Sequence, residues 1–329
     1  MEQLALVAEC AVQAALAQSG RLGDVVHPGS CIARRPELFP GPVQDLAFVE
    51  CAWSRHGPTL PILDSIVHYC LRYGRSIPQL MGFDMPGVLQ EKVAVITGGT
   101  SGIGLAIAHR FVGEGARVFV TGRDTDRLEA AVKEIGPAAT GVRSDVSVLA
   151  DLDALYARVS EEAGRIDVLV ANAGIVADAA LGAHTEANVD LTLAVNVKGP
   201  LFTVQKALPL LAENASILVI GSSNSLRPNE HLEVYSASKA ALSNLVHNWA
   251  RQSRERRFRI NVLSPGPTRT PALLRAAGPD ADRFAEAVVP LGRLADAEEI
   301  AEAALFLASD ASSFVTGAEL FADGGYTRA

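Results

Sequence analysis

From residue 93 onward, short apolar runs alternate with stretches of helical period, and this alternation restricts the fold more than any other feature of the 329 residues. The apolar runs are 93–97, 118–121, a third ending at Asp145, then 168–171, 217–220 and 260–263. Between them lie helical patterns at 105–112, 128–135 and 149–163, a long apolar segment around Asn196 and a stretch through Tyr235. Near-continuous apolar strands need cover on both faces, and helical crossovers between them make the sheet parallel. The pattern predicts an α/β fold with a doubly wound parallel sheet, and it contains no internal repeat and no low-complexity tract.

With 49% apolar and 20% charged residues the chain can bury a large core. A net charge of -8 argues against a nucleic-acid partner, whose binding depends on neutralising phosphates, and the basic run 251–259 reads as a solvated helix end. No stretch nears the roughly 18 to 20 apolar residues of a membrane span, and Glu2 and Glu9 stand where a secretory signal would be positive. Cys10, Cys31, Cys51 and Cys70 form no CxxC pair, so neither a zinc site nor a thiol-redox motif is expected, and a reducing, cytoplasmic compartment fits. His184, His231 and His247 lack metal-ligand spacing, and no metal is assigned.

All four cysteines precede residue 71, and Ile77-Pro78 and the Gly/Pro-bearing stretch 81–86 read as a linker. The chain therefore divides near Met85 into a helical N-terminal extension, 1–84, and a single main domain, 85–329. Within the extension, 4–17, 46–55 and 61–73 are helical in pattern.

Directly after the first apolar run comes Thr97-Gly98-Gly99-Thr100-Ser101-Gly102-Ile103-Gly104, with a helix opening at its end. Glycines here allow a tight turn and let backbone N–H groups approach a pyrophosphate, whose charge is favoured at a helix N-terminus. A strand, a glycine loop and a helix in that order predict a Rossmann-type dinucleotide site. The second run ends at Gly122-Arg123, where an acidic residue would hold a ribose 2′-hydroxyl and an arginine favours a 2′-phosphate. Arg123 therefore favours NADP(H) over NAD(H), the other reading being that Asp124 takes the ribose.

Tyr235 and Lys239 stand four apart in a helical stretch and share a face. A free phenol, with a pKa of about 10, is a poor base near neutrality, but a neighbouring ammonium and a cationic nicotinamide both favour the phenolate. Tyr235 would then exchange a proton with a substrate oxygen while a hydride moves.

With these motifs the sequence resembles the short-chain dehydrogenase/reductase family, in the group with a TGxxxGxG cofactor motif and a YxxxK active site. The similarity runs from about Lys92 to the C-terminus and extends to Asn172-Ala173-Gly174, Asn196-Val197, Ser222 thirteen residues before Tyr235, Pro265-Gly266 and Asp323-Gly324-Gly325. It implies a tetrad of Asn196, Ser222, Tyr235 and Lys239. In that tetrad Ser222 hydrogen-bonds the substrate oxygen, Tyr235 transfers the proton, and Lys239 lowers the phenol pKa and binds the nicotinamide ribose. Asn196 holds a water linking Lys239 to solvent. Cofactor contacts are implied for Gly98, Ser101, Gly102, Ile103 and Gly104, for Asp145 and Val146, and for Asn172 with the backbone of Ala173 and Gly174. They are also implied for Pro265 and Gly266, and for Thr270, which orients the carboxamide. The resemblance further implies a homo-oligomer, a tetramer or dimer.

The spacing to Tyr235 selects Ser222 over Ser223, since neighbours on a strand face opposite ways. Pro200, four residues after Asn196, has no N–H, which would leave the Asn196 carbonyl free for the relay water. Where the family often has two Asn before Ala-Gly, the first position here is Ala171. Between Ser222 and Tyr235 lie Arg227, Asn229, Glu230, His231 and Glu233, which read as a solvated rim, or else as recognition of a polar or anionic substrate by Arg227. Trp249, Leu242, Leu245 and Val246 read as core or subunit contact. A small ketone or secondary alcohol is the expected substrate. A catalytically silent dinucleotide-binding regulator and a sugar-nucleotide epimerase or dehydratase are the alternatives. The segment 48–65 is similar to the helical C-terminal region of ketopantoate-reductase-like proteins, but it carries no motif from which an activity follows.

Overall fold

The computed structural model describes residues 86–328; the helical patterns read in 1–84 lie outside them. In chain order the elements are β1 (Val93–Ile96), α1 (Gly102–Gly113), β2 (Arg117–Gly122), α2 (Thr125–Ile135), β3 (Ala139–Arg143), α3 (Leu149–Glu162) and β4 (Ile166–Ala171). Then come α4 (Glu186–Leu193), a π-helical turn (Ala194–Lys198), α5 (Gly199–Ala207), β5 (Leu211–Ile220), α6 (Glu233–Gln252) and β6 (Arg259–Pro265). The chain closes with β7 (Thr268–Arg269), α7 (Pro271–Ala277), α8 (Ala281–Val288), β8 (Ala295–Asp296), α9 (Ala297–Ala308) and β9 (Glu319–Ala322).

Seven strands form one parallel sheet in the order β3-β2-β1-β4-β5-β6-β9, and β7 pairs with β8 apart from it. The expected doubly wound fold is therefore what the chain adopts. The sheet runs outward in one direction from β1 and in the other from β4, so the connections part there and open a crevice at the carboxyl ends of the strands.

Period-two alternation sorts the strand side chains into two core layers. Ala94, Ile96, Val118, Val120, Leu218 and Leu263 pack with Ile107 and Phe111 of α1 and Ile300 and Ala304 of α9 on one face. Val95, Phe119, Leu169, Ile217 and Val262 pack with Leu152 and Leu155 of α3, Val204 of α5, and Leu242 and Val246 of α6 on the other. Each such fully buried aliphatic or aromatic side chain contributes about 1.5–3 kcal/mol, so it is the two-faced burial that holds the sheet rigid under the site. A third, smaller cluster joins Ala281, Ala285, Val289 and Leu294 to Tyr326 of the C-terminal tail.

Three departures from the sequence pattern bear on the site. Helix α1 begins at Gly102 rather than 105, so the last glycines of the loop already belong to its first turn. The long apolar segment is not one continuous helix: Pro200 sits in the first turn of α5, and the helix widens into the π turn with Asn196 at its centre. Strand β9 was absent from the pattern because its four residues are all half-buried and it starts at Glu319. Among the described residues no helix is long and apolar enough to cross a membrane.

Candidate active site

The glycine loop leaves β1 and turns directly into α1. Ser101, at the N-cap of α1, makes no side-chain capping bond, so the amides of the first turn keep the free donors that a helix start leaves. Behind them, Asn172 at the end of β4 donates its amide to the Thr97 carbonyl at 2.9 Å and the Gly98 carbonyl at 3.0 Å. Thr97 Oγ1 accepts from the Asn172 and Ala173 backbone at 3.0 and 3.1 Å. Gly104 is essential to this closeness, because a Cβ there would stand 2.3 Å from the Gly98 carbonyl oxygen. Free amides at the positive end of a twelve-residue helix, over a loop with no room for side chains, suit the pyrophosphate of a dinucleotide.

At the end of β2, Arg123 is exposed and lies 3.8 Å from the Asp145 carboxylate. Burial pushes the Asp145 carboxyl up, but hydrogen bonds from Ser147 and the charges of Arg123 and Arg143 outweigh this and hold it below the usual range. Asp124, the other candidate for the ribose, is the N-cap of α2 and accepts from the Arg127 backbone at 3.1 Å. Val146, three residues past the end of β3, buries its side chain in the core. Thr270 caps α7 through the Leu273 amide at 3.2 Å, with its methyl against Gly102. Pro265 ends β6, and Gly266 lies against Asp323 of the tail.

The four residues of the implied tetrad come together where β4 and β5 end. Lys239 is 4% exposed, its ammonium donates to the Ile220 carbonyl at 2.8 Å, and it stands 5.8 Å from the Tyr235 ring centroid. Asn196 clamps Ile175: its Oδ1 accepts from the Ile175 amide at 2.8 Å and its Nδ2 donates to the Ile175 carbonyl at 2.9 Å. The same Nδ2 reaches Ser238 Oγ at 3.1 Å, which in turn donates to the Tyr235 carbonyl. Gly174 leaves an opening beside both groups, since a Cβ there would lie 3.4 Å from Asn196 Oδ1 and 3.5 Å from Lys239 Nζ.

Ser222 is extended, and its Oγ accepts from the Asn224 amide at 3.2 Å, which leaves its own proton free for another acceptor. Ser223 begins a short 3-10 turn and is buried. Burial raises the Tyr235 phenol above its ordinary pKa, and a hydrogen bond with Ser222 pulls the other way. Burial also pushes Lys239 down, from 10.5 to about 8.

The lysine shift has a consequence for stability. Between pH 8 and 10.5 the unfolded chain holds the Lys239 proton and the folded chain does not, so stability rises with pH across that window. Urea unfolding of the native protein and of Lys239→Met over this range is expected to show the native protein gaining about 3 kcal/mol relative to the variant. A pH-independent difference would show that Lys239 titrates normally.

Arg227 is exposed and engages the C-terminal tail. Its guanidinium lies 4.5 Å from the Tyr326 ring centroid and donates to the Tyr326 carbonyl at 2.5 Å. Its guanidinium is thus neither fully solvated nor unpartnered, since a carbonyl and an aromatic face together hold it against the tail. Sequence reading missed that Asn224, Asn229 and Tyr326 meet here. The Asp323-Gly324-Gly325 motif, immediately before Tyr326, was the one available signal. Among the described residues no cluster of three or more metal-capable side chains occurs.

A family model described as Enoyl-(Acyl carrier protein) reductase matches residues 98–327. Oxidoreductase asL5 of Sarocladium schorii is 44% identical over 239 residues, covering 72% of this chain and 96% of that protein. The 3-ketoacyl-(acyl-carrier-protein) reductase of Brucella melitensis, solved with NADH, superposes with a TM-score of 0.69 at 32% identity, covering 73% of this chain and 99% of that one. A short chain dehydrogenase of Burkholderia cenocepacia J2315, solved with NADP, gives the same TM-score of 0.69 and 32% identity over 72% of this chain and 98% of its own. Fold and crevice define a Rossmann-type NAD(P)-dependent oxidoreductase acting on CH–OH and C=O groups. The chain belongs to the short-chain dehydrogenase/reductase family.

Proposed function

We propose that the protein moves a hydride between nicotinamide C4 and a small ketone or secondary alcohol, with Tyr235 as general acid and base and NADP(H) as the favoured cofactor. The observation that carries this reading is the buried ammonium of Lys239 beside the Tyr235 phenol, with the Ser222 hydroxyl facing the same phenol. A bound nicotinamide dinucleotide supplies or receives the hydride. Its pyrophosphate would rest on the amides of Ser101, Gly102, Ile103 and Gly104, and its ribose and carboxamide near Lys239 and Thr270.

The chain's own residues manage the proton. In the reducing direction Tyr235 gives its proton to the substrate oxygen, and the Lys239 ammonium stabilises the phenolate that remains. Ser222, whose Oγ accepts from the Asn224 backbone amide, offers a hydrogen bond to the same oxygen as charge develops there and keeps its own proton. Asn196 uses its side chain to hold Ile175, so any relay water would sit on its backbone carbonyl in the π turn. Turnover of a carbonyl and alcohol panel with NADPH and NADH tests the reading. Cofactor binding without turnover of any panel member would instead favour a silent sensor.

Arg123 supports NADP(H), because it is exposed at the end of β2 while Asp124 is occupied as a helix cap. Arg123→Asp is expected to weaken NADPH binding roughly 10- to 100-fold, the worth of one charge-assisted contact, and to reverse the ranking of the two cofactors. Fluorescence titration with each cofactor measures this, and an unchanged ratio would assign the ribose to other groups. A cytoplasmic homo-oligomer, dimer or tetramer, completes the proposal. Exposed Leu191, Leu193, Phe306 and Phe314 support it as apolar surface suited to burial between subunits.

A further inference from the structure

The Asp323-Gly324-Gly325 motif takes no part in the chemistry above, yet its geometry reaches the catalytic crevice. Asp323 is 8% exposed and accepts from the Gly325 and Thr327 amides, both at 2.9 Å, and from the Thr327 hydroxyl at 2.6 Å. Gly324 and Gly325 have φ of 61° and 89°, and a Cβ on Gly324 would stand 2.7 Å from the Val289 side chain, so glycine is needed for the turn to close. That turn folds the tail back and buries Tyr326 to 3% exposure in the cluster with Ala281, Ala285 and Val289.

From the buried ring a series of hydrogen bonds runs to Ser222. Tyr326 Oη donates to Asn229 Oδ1 at 2.8 Å, Asn229 Nδ2 donates to Asn224 Oδ1 at 3.4 Å, and the Asn224 amide donates to Ser222 Oγ at 3.2 Å. Residues 226–232 between the 3-10 turn and α6 form no helix or strand, and Leu226, Arg227, Pro228, Glu230 and His231 are exposed. The loop therefore depends on its few anchors, and the tail supplies two of them, through Asn229 and through Arg227.

We propose that Tyr326 is a positioning residue: through Asn229 and Asn224 it holds the 222–225 turn so that the Ser222 hydroxyl stays directed at Tyr235. The proposal rests on Ser222 and Tyr235 having the roles given under the proposed function. The ring, packed against α8, fixes the tail; the hydroxyl conveys its position to the loop.

Tyr326→Phe keeps the ring and its packing and deletes one hydrogen bond, which corresponds to a roughly 2- to 12-fold fall in kcat. NADPH and NADH dissociation constants are expected to stay unchanged. Asn229→Ala, which cuts the same series at another point, is expected to reproduce the fall and not to add to it. In a Ser222→Ala background Tyr326→Phe is expected to have no further effect, a coupling that a merely structural role would not produce. Additive losses in that background, or unchanged kcat in Tyr326→Phe, would overturn the proposal.

If the native protein turns over no carbonyl with either cofactor, the functional reading fails, and the positioning claim is judged on the phenol instead. The Tyr235 titration is followed by its ultraviolet phenolate band, as a difference against Tyr235→Phe carrying the same residue at position 326. Lys239 stands beside the ring and is present in both proteins. Tyr326→Phe is expected to shift the phenol midpoint upward as the Ser222 bond loosens, and an unmoved midpoint would refute the positioning role.

Discussion

Tyr235→Phe is expected to lower kcat by about 10²- to 10⁴-fold, the usual contribution of a positioned general acid or base, while leaving cofactor affinity within about threefold. The substitution removes one oxygen atom. The Ser238 bond to the residue 235 carbonyl and the Lys239 bond to Ile220 do not involve that oxygen and should survive. The substitution thus removes the proposed proton donor together with its hydrogen bond to Ser222 and leaves those two bonds in place. Steady-state absorbance of NADPH oxidation measures kcat, and fluorescence titration measures binding.

The pH dependence of the native protein follows from the same group. Because burial holds the phenol above its ordinary pKa, it is protonated near neutrality. On the proposed mechanism alcohol oxidation uses the phenolate and should rise with pH, whereas ketone reduction should fall as the phenol titrates. Retention of more than a tenth of native kcat in Tyr235→Phe would mean that another group moves the proton.

Gly104→Ala should all but abolish cofactor binding, with an affinity loss of roughly 100-fold or more, the scale of a few kcal/mol. The new Cβ would stand 2.3 Å from the Gly98 carbonyl oxygen and 2.5 Å from Asn172 Nδ2. Neither neighbour can simply rotate aside: the first is backbone, and the second is held by its bonds to Thr97 and Gly98. The loop must therefore open, which pulls the amides of α1 away from the proposed phosphate site and lowers the thermal midpoint. Gly113→Ala, in the same helix with nothing within 4 Å of its Cβ, serves as the control and should be neutral or slightly stabilising. Equal cofactor affinity in the two variants would show that the loop does not form the phosphate cradle.

Much of this was legible before any coordinates, because it is encoded in spacing. Period two against period 3.6 separated strands from helices, and the four-residue interval placed Tyr235 and Lys239 on one face of α6. The elements that escaped were those whose local pattern is faint. Edge strand β3, half exposed, was read only as a run ending at Asp145, two residues past its end at Arg143, and β9, short and led by Glu319, was not read. In the segment around Asn196, Pro200 marked the irregularity, but a proline alone does not distinguish a kink from the π turn that forms.

The sequence by itself determined the fold class, the glycine cradle and the pairing of a phenol with an ammonium, since each depends on residues within a few positions of one another. Tertiary structure alone decided the strand order, the engagement of Asn196 with Ile175, the contact of Arg227 with the tail and the burial of Tyr326. The physical reason is distance along the chain. The bond from Tyr326 to Asn229 joins residues 97 apart, and no local period records which loops an open parallel sheet will bring face to face.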